Sequence, residues 1–458
     1  MRGMRSSLER VKVYRPPLGI VSRHRFDQAM AESTPKEKVW GAQWIVCQIG
    51  AREHYVLAAE LHRRGQLAAL CTDIWAAEGS LWRMTADLSG VLGRRLHDRY
   101  ENSLRSARVL SQSPLGIGAH AIATRFGNGH WNWARIMERN RRFASGTARR
   151  LERSGLLSPS DGTKPVVFAY SYGAFEILEA AKRAGCLAVL GQIDPGPEED
   201  ALIARLAERH GRLGNAAARP PERYWNEWRR ECAVSDILIV NSAWSASLVA
   251  RAGIPDEKIR IVPLAYRPNA RCNNNPRRVY PEAFSTGRPL KLLFLGQVNL
   301  RKGTIELIDA MRCLRNEPVR LTMVGPIEPG LRKHLTYPAN VEWVGPVSRS
   351  EVEEHYRQSD LFILPTHSDG FAITQLEALA HGLPVIASRY CGNVVVDGQN
   401  GLIIETVTAD AIEGQLRWML NHPEALARMA ARAPAGLAAY APECVVDTLI
   451  AAVSSVRP

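Results

Sequence analysis

No Cys-x-x-Cys pair occurs in this chain, and its eight cysteines (Cys47, Cys71, Cys186, Cys232, Cys272, Cys313, Cys391 and Cys444) are scattered. That spacing argues against a disulfide framework and a structural zinc site, and favours a reducing compartment. No apolar run approaches the roughly 20 residues needed for a transmembrane helix. The arginine-rich N-terminus lacks an apolar stretch of signal-peptide type, so none is expected there. No Asp-x-Asp pair stands at the end of an expected strand, and no internal repeat is visible. What is present is ordinary globular material: 458 residues, 46% hydrophobic and 23% charged. This excludes a disordered or collagenous chain and allows two to three domains with sizeable cores.

The net charge is +13, from 59 basic and 46 acidic residues. Such an excess suits an anionic partner: a nucleotide, a nucleic acid or an acidic membrane surface. No RNA- or DNA-binding motif accompanies it, so no nucleic-acid partner is expected.

Short apolar runs alternate with amphipathic helical stretches, which predicts layered α/β structure with parallel sheets. Strands are expected over Trp44–Gln48, Ala68–Thr72, Val166–Ala169, Ala188–Gln192 and Ile237–Val240, with a helix over Tyr55–Arg64. A second series follows over Lys291–Leu295, Arg320–Val324, Asp360–Leu364 and Pro384–Ala387. Two series predict two doubly wound domains. The expected division is a basic tail over 1–38, a first domain over 39–265, a linker over 266–289, a second domain over 290–425 and C-terminal helices over 426–458 that pack back on the first domain. The linker carries Asn273-Asn274-Asn275-Pro276. Residues 81–150 hold many arginines, no lysine and four acids. They read as inserted helices with a basic face, either plainly solvated or facing an anionic acceptor or lipid headgroups.

The most informative stretch runs from Ser368 to Ser388. A strand end at Pro365 leads into Asp369-Gly370-Phe371-Ala372-Ile373, then a helix, then Gly382-Leu383-Pro384 and the next strand. A strand–turn–helix of this kind offers free backbone N–H groups at the carboxyl edge of a sheet, where open α/β folds bind ligands. Asp369 and Glu377 flank the turn eight positions apart. Carboxylates accept hydrogen bonds and so suit sugar or ribose hydroxyls. Gly296 and Gly303 let backbone approach a phosphate. Arg301 and Lys302 add a fork and a point charge for it.

These residues resemble the nucleotide-sugar-dependent glycosyltransferases of the GT-B fold, glycosyltransferase family 4. The resemblance covers Gly296 to Leu402. It rests on the carboxylate-x7-carboxylate spacing, Phe294-Leu295-Gly296, Arg301-Lys302-Gly303, Val344-Gly345, Leu364-Pro365 and Asp397-Gly398-Gln399-Asn400-Gly401. A weaker likeness lies in Ser235-Asp236, Asn241-Ser242 and Ile261-Val262-Pro263. The resemblance implies two Rossmann-like domains facing across a cleft and retaining transfer of a sugar by a front-face route without metal or other cofactor. It implies that Glu377 binds ribose hydroxyls, that Asp369 faces the donor sugar where the family usually has Glu, and that Arg301 and Lys302 hold the diphosphate. Gln297 stands where the family often has Arg. With Gly296, Gly370, Phe371, Ala372 and Ile373 it falls on the donor side. Gly50, in Ile49-Gly50-Ala51-Arg52-Glu53-His54, resembles a degenerate glycine-rich first loop that approaches the donor phosphate.

On the acceptor side stand His54, Tyr170, Tyr172 and Asp194. Tyr170-Ser171-Tyr172-Gly173 occupies a place where the family often has a histidine. Asp194-Pro195-Gly196-Pro197-Glu198-Glu199 follows another strand, and Arg223–Arg230 is an aromatic-basic run that either lines the acceptor side or packs internally. The implied partners are a nucleotide-sugar donor and an acceptor glycan, lipid-linked sugar or small molecule, in the cytoplasm with peripheral membrane contact as an option. The alternatives are an epimerase or hydrolase on the same fold and a non-catalytic nucleotide-sugar-binding protein.

Overall fold

The computed structural model describes residues 43–80, 82–84, 96–112, 133–158, 165–213, 219–268 and 278–455. The basic tail over 1–38, Asn273–Pro276 and much of the arginine-rich stretch lie outside the described residues.

Two parallel sheets organise residues 43–455. The first has seven strands: β1 (Trp44–Gln48), β2 (Leu67–Thr72), β3 (Val109–Ser111), β4 (Val166–Tyr170), β5 (Leu187–Gly191), β6 (Ile237–Val240) and β7 (Ile259–Ile261). Their order is β3-β2-β1-β4-β5-β6-β7. The second has six: β8 (Leu290–Leu295), β9 (Val319–Val324), β10 (Val341–Gly345), β11 (Leu361–Leu364), β12 (Val385–Ser388) and β13 (Gly401–Ile404), in the order β10-β9-β8-β11-β12-β13. Both orders turn back beside their first strand, and that switch point opens a crevice at the carboxyl edge. The central strands are buried on both faces, as parallel strands covered by helices must be.

The first lobe carries α1 (Val56–Arg63), α2 (Trp133–Ser154), α3 (Phe175–Arg183), α4 (Pro197–His210), α5 (Glu222–Val234) and α6 (Ala243–Arg251). The second carries α7 (Thr304–Cys313), α8 (Pro329–His334), α9 (Arg349–Gln358), α10 (Thr374–Ala380), α11 (Ala409–Asn421) and α12 (Pro423–Arg432). The last helix, α13 (Pro442–Ser454), sets Val445, Val446, Leu449 and Val453 into the same apolar cluster as Trp44, Val46 and Ile237 of the first sheet. The stretch over 81–150 is not wholly helical: Val109–Ser111 extends the first sheet beside β2. A three-residue edge strand among arginines carries too little apolar pattern to announce itself.

The lobes meet along α4. Leu206 packs in one cluster with Leu300, Ile305 and Leu331 of the second lobe. Beside them His367 Nε2 lies 2.9 Å from Glu306 Oε1, and His210 Nε2 of α4 lies 3.5 Å from the same oxygen. Burial opposes the Glu306 charge, but the two histidines outweigh it and hold the carboxyl below its ordinary value. Among the described residues no single helix is long and apolar enough to cross a membrane.

Candidate active site

β8 ends at Leu295, and Gly296 follows at φ +148° with open space where a Cβ would stand. Gln297 is exposed. The Asn299 side chain then accepts from Lys302 N at 3.1 Å and closes the short turn Leu300–Lys302. Gly303 sits at φ +67°, and a Cβ there would lie 1.9 Å from the Pro365 carbonyl oxygen. Only glycine lets this turn lie flat against the end of β11.

That contact places the two cations against the turn over residues 366–369. Thr366 Oγ1 and His367 N both donate to the Arg301 carbonyl, at 3.0 and 2.8 Å. Arg301 Nη1 donates to Ser368 O at 2.8 Å and lies 3.5 Å from Asp369 Oδ2. Lys302 Nζ is ion-paired with Asp369 Oδ2. Burial disfavours the Asp369 charge, yet Lys302 and Arg301 more than offset it and hold the carboxyl below its ordinary value. Ala372 takes a left-handed conformation, φ +60°, to feed α10. That helix has seven residues and no side-chain cap. The two cations stand beside the free N–H groups of its first turn, and both bring positive charge to this edge.

Glu377 stands half-buried on α10 and accepts from the Tyr356 hydroxyl at 2.9 Å. Tyr356 is 1% exposed and stacks on His381 with centroids 5.1 Å apart. One buried tyrosine, itself stacked on His381, therefore orients this carboxylate.

The first lobe reaches into the cluster. Ser368 Oγ donates to Glu199 Oε1 at 2.6 Å, and the same Glu199 oxygen lies 3.8 Å from Arg301 Nη1. Burial raises the Glu199 carboxyl, with Arg301 pulling the other way. Trp244 Nε1 donates to Ser368 Oγ at 2.9 Å. Gly370 lies so close to Asn241 that a Cβ would stand 2.9 Å from its Nδ2.

The loop after β1 is strained. Gly50, at φ +84°, donates its N–H to Asp73 Oδ1 at 2.9 Å, and Arg99 Nη1 donates to the same oxygen at 2.7 Å. Glu53, His54 and Tyr55 then follow at φ 48°, 49° and 60°. Three consecutive left-handed residues cost roughly 1–2 kcal/mol each. The Tyr170 hydroxyl braces the turn by donating to Glu53 Oε1 at 3.1 Å. Tyr172 donates to Asp194 Oδ1 at 2.5 Å, and Gly196 N donates to the same oxygen at 2.9 Å. Burial raises the Asp194 carboxyl against these bonds.

The structure thus brings Arg301, Lys302, Asp369 and the first lobe's Glu199 into one group, with Glu377 on the adjoining helix. Among the described residues no hydrogen bond or ion pair joins His54 or Tyr170 to that group. His54 is exposed on the strained turn, and Tyr170 serves Glu53. Sequence reasoning missed Trp244 and Tyr356, whose contacts span 124 and 21 residues. Glu199 stands in the first turn of α4, and Pro197 at the start of that helix was the available signal. Among the described residues no group of three or more His, Cys, Asp or Glu is placed to hold a metal ion.

Residues 281–435 match the family described as glycosyl transferases group 1. The D-inositol 3-phosphate glycosyltransferase of Nocardiopsis dassonvillei is 29% identical over 177 residues, 35% of this chain and 41% of that protein. The chain therefore spans less than half the length of this curated relative. Among solved structures, sucrose-phosphate synthase from Thermosynechococcus elongatus superposes with a TM-score of 0.59 at 16% identity, over 91% of this chain and 99% of that one. The Anabaena protein HepE, solved in complex with UDP, gives 0.55 at 14% identity over 91% and 100%. These likenesses establish a GT-B fold whose second lobe carries the sequence pattern of group 1 glycosyl transferases.

Proposed function

We propose that the protein is a retaining glycosyltransferase of family 4 that moves a sugar from a nucleotide-diphosphate sugar to an acceptor hydroxyl. The observation that carries this reading is the Arg301–Lys302–Asp369 group, set at the carboxyl edge of the second sheet with Glu377 eight residues on. HepE, of the same fold, was solved with UDP and with UDP-glucose, which supports a nucleotide-sugar donor.

In this reading Glu377, held by Tyr356, accepts from the ribose hydroxyls. Asp369 faces the hydroxyls of the donor sugar. Arg301 and Lys302 take the diphosphate. As the glycosidic bond breaks, charge develops on the leaving phosphate oxygen, and fixed cations in a half-buried site stabilise it without reorganising. The acceptor oxygen attacks from the face the phosphate leaves and transfers its proton to that phosphate oxygen, so the anomeric configuration is kept. No metal is needed for this charge balance.

The test is the anomeric coupling constant of the first-formed product, followed by NMR with a nucleotide-sugar of known configuration. Retention is expected. An inverted product refutes the front-face route, and donor cleavage with no transfer to any acceptor refutes transferase activity in favour of a hydrolase.

A further inference from the structure

The helix α4 meets the second lobe at both ends. Its first turn carries Glu199, which reaches Ser368 and Arg301. Its last residue is His210, whose Nε2 lies 3.5 Å from Glu306 Oε1. His367, next to Ser368 in the second lobe, brings its own Nε2 to 2.9 Å from that oxygen. One carboxylate oxygen thus faces a histidine from each lobe. The three side chains are 17%, 12% and 11% exposed for His210, Glu306 and His367. The second oxygen, Glu306 Oε2, is buried and meets no donor among the described residues.

A carboxylate buried in this way needs a positive partner, because two neutral N–H donors on one oxygen leave its charge uncompensated. The helix ends favour the same arrangement. His210 closes α4, where the macrodipole favours a cation, and Glu306 stands in the first turn of α7, where it favours an anion. Burial works against the Glu306 charge, and the two histidines outweigh it. Other charges on the adjoining elements are engaged elsewhere or turned to solvent. Arg301 and Lys302 face Asp369 and Glu199, and Asp309 of α7 bonds Arg312. Arg209 of α4 and Arg332, Lys333 and His334 of α8 are exposed.

We propose that His210, Glu306 and His367 form a proton-operated latch between the lobes. A proton taken up by the imidazoles turns a neutral contact across the seam into a charge-assisted one and fastens α4 to the second lobe. When the lobes part, His210 leaves the carboxylate. The fastened state therefore holds the proton more tightly and is favoured as pH falls through the histidine range, about 6.5. It is lost again where Glu306 itself takes a proton, below the ordinary carboxyl range. Because Glu199 rides on the same helix, the latch also sets how that carboxylate meets Arg301.

Small-angle scattering of the full chain at about pH 8 and about pH 5.5 tests this beside His210→Gln, which keeps a neutral N–H donor but cannot take up the proton. The unaltered protein should be more compact at the lower pH, and His210→Gln should give one profile at both. A double-mutant cycle of His210→Gln with Glu306→Gln, followed by urea unfolding, gives the second reading. Their coupling, as a ratio of unfolding constants, should grow about fivefold or more from the higher pH to the lower, as for a hydrogen bond that gains a charged partner. The proposal is overturned if the unaltered profile does not change with pH, or if His210→Gln contracts as much as the unaltered protein. A coupling equal at both pH values overturns it too, since a purely structural contact would behave so. Neither measurement involves a nucleotide or a sugar, so the latch and the transferase reading fail separately.

Discussion

Replacing Lys302 by alanine tests two roles, one structural and one in the proposed transfer. Its ammonium faces an Asp369 carboxylate whose side chain is 15% exposed, while Lys302 itself is 10% exposed. Breaking such a pair typically costs about 3–5 kcal/mol, because the remaining charge stays buried. Here Arg301 remains 3.5 Å from Asp369 and Phe371 N still donates to it, so the lower end, about 3 kcal/mol, is expected. The catalytic loss is separate. Removing one contact to a developing oxyanion costs about 2.7–4 kcal/mol, or roughly 10²–10³ in kcat.

The pH behaviour has a definite sign. Asp369 is lowered in the folded protein, so its contribution is present above the unfolded carboxyl value and lost as pH falls through the folded one. Without Lys302 the folded value rises towards the unfolded one, so Asp369 contributes less to the acid limb, and the stability deficit of Lys302→Ala against the unaltered protein should narrow as pH falls. The assays are urea unfolding at several pH values and steady-state kinetics with the donor varied. Adding Asp369→Asn to Lys302→Ala should restore much of the stability, since no buried charge remains, but none of the kcat. A Lys302→Ala enzyme with raised KM and intact kcat refutes the leaving-group role and makes Lys302 a uniform binding contact.

Glu377→Gln should lose most transfer activity with Tm nearly unchanged, since an amide oxygen still accepts from Tyr356; normal turnover would remove Glu377 from the site. Transfer should persist in excess EDTA, and loss with recovery on adding magnesium or manganese would contradict the metal-free reading. Gly303→Ala should destabilise strongly, since its Cβ would meet the Pro365 carbonyl oxygen at 1.9 Å and φ is +67°. A cost of about 1–3 kcal/mol for overpacking plus about 1–2 for the left-handed backbone is expected, read as a lower urea midpoint.

The strands legible in the sequence were those buried on both faces. Trp44–Gln48 and Ile237–Val240 match to the residue, and the other interior strands to within one. The apolar runs passed over Val109–Ser111, Ile259–Ile261, Val341–Gly345 and Gly401–Ile404, and these four are the edges of the two sheets. An edge strand is covered on fewer sides, so its apolar run is short, as in Val109–Ser111 and Gly401–Ile404, or broken by charge, as at Arg260 and Glu342. Val341–Gly345, for example, alternates between half-buried and exposed residues.

The site was legible where it is local and hidden where it is not. Arg301, Lys302 and Asp369 lie in turns, and Glu377 on the helix that follows, whose glycines and spacing are visible in one dimension. Glu199 and Trp244 reach the same turn from 169 and 124 residues away, and no spacing rule encodes that. Their presence changes the physics of the site. Arg301 and Lys302, two positive charges, already face Asp369 and Glu199, two negative ones. In the proposed reaction an arriving diphosphate would therefore compete with two carboxylates rather than meet bare cations, and its net gain would be a difference between two charge-assisted arrangements. The Glu199 partner comes from the first lobe, so that difference depends on how the lobes are set against each other. Leu206, Leu300, Ile305 and Leu331 hold this setting through the apolar seam beside the site. On the proposed reading, apolar packing beside the site thus enters the energetics of donor binding through a single carboxylate.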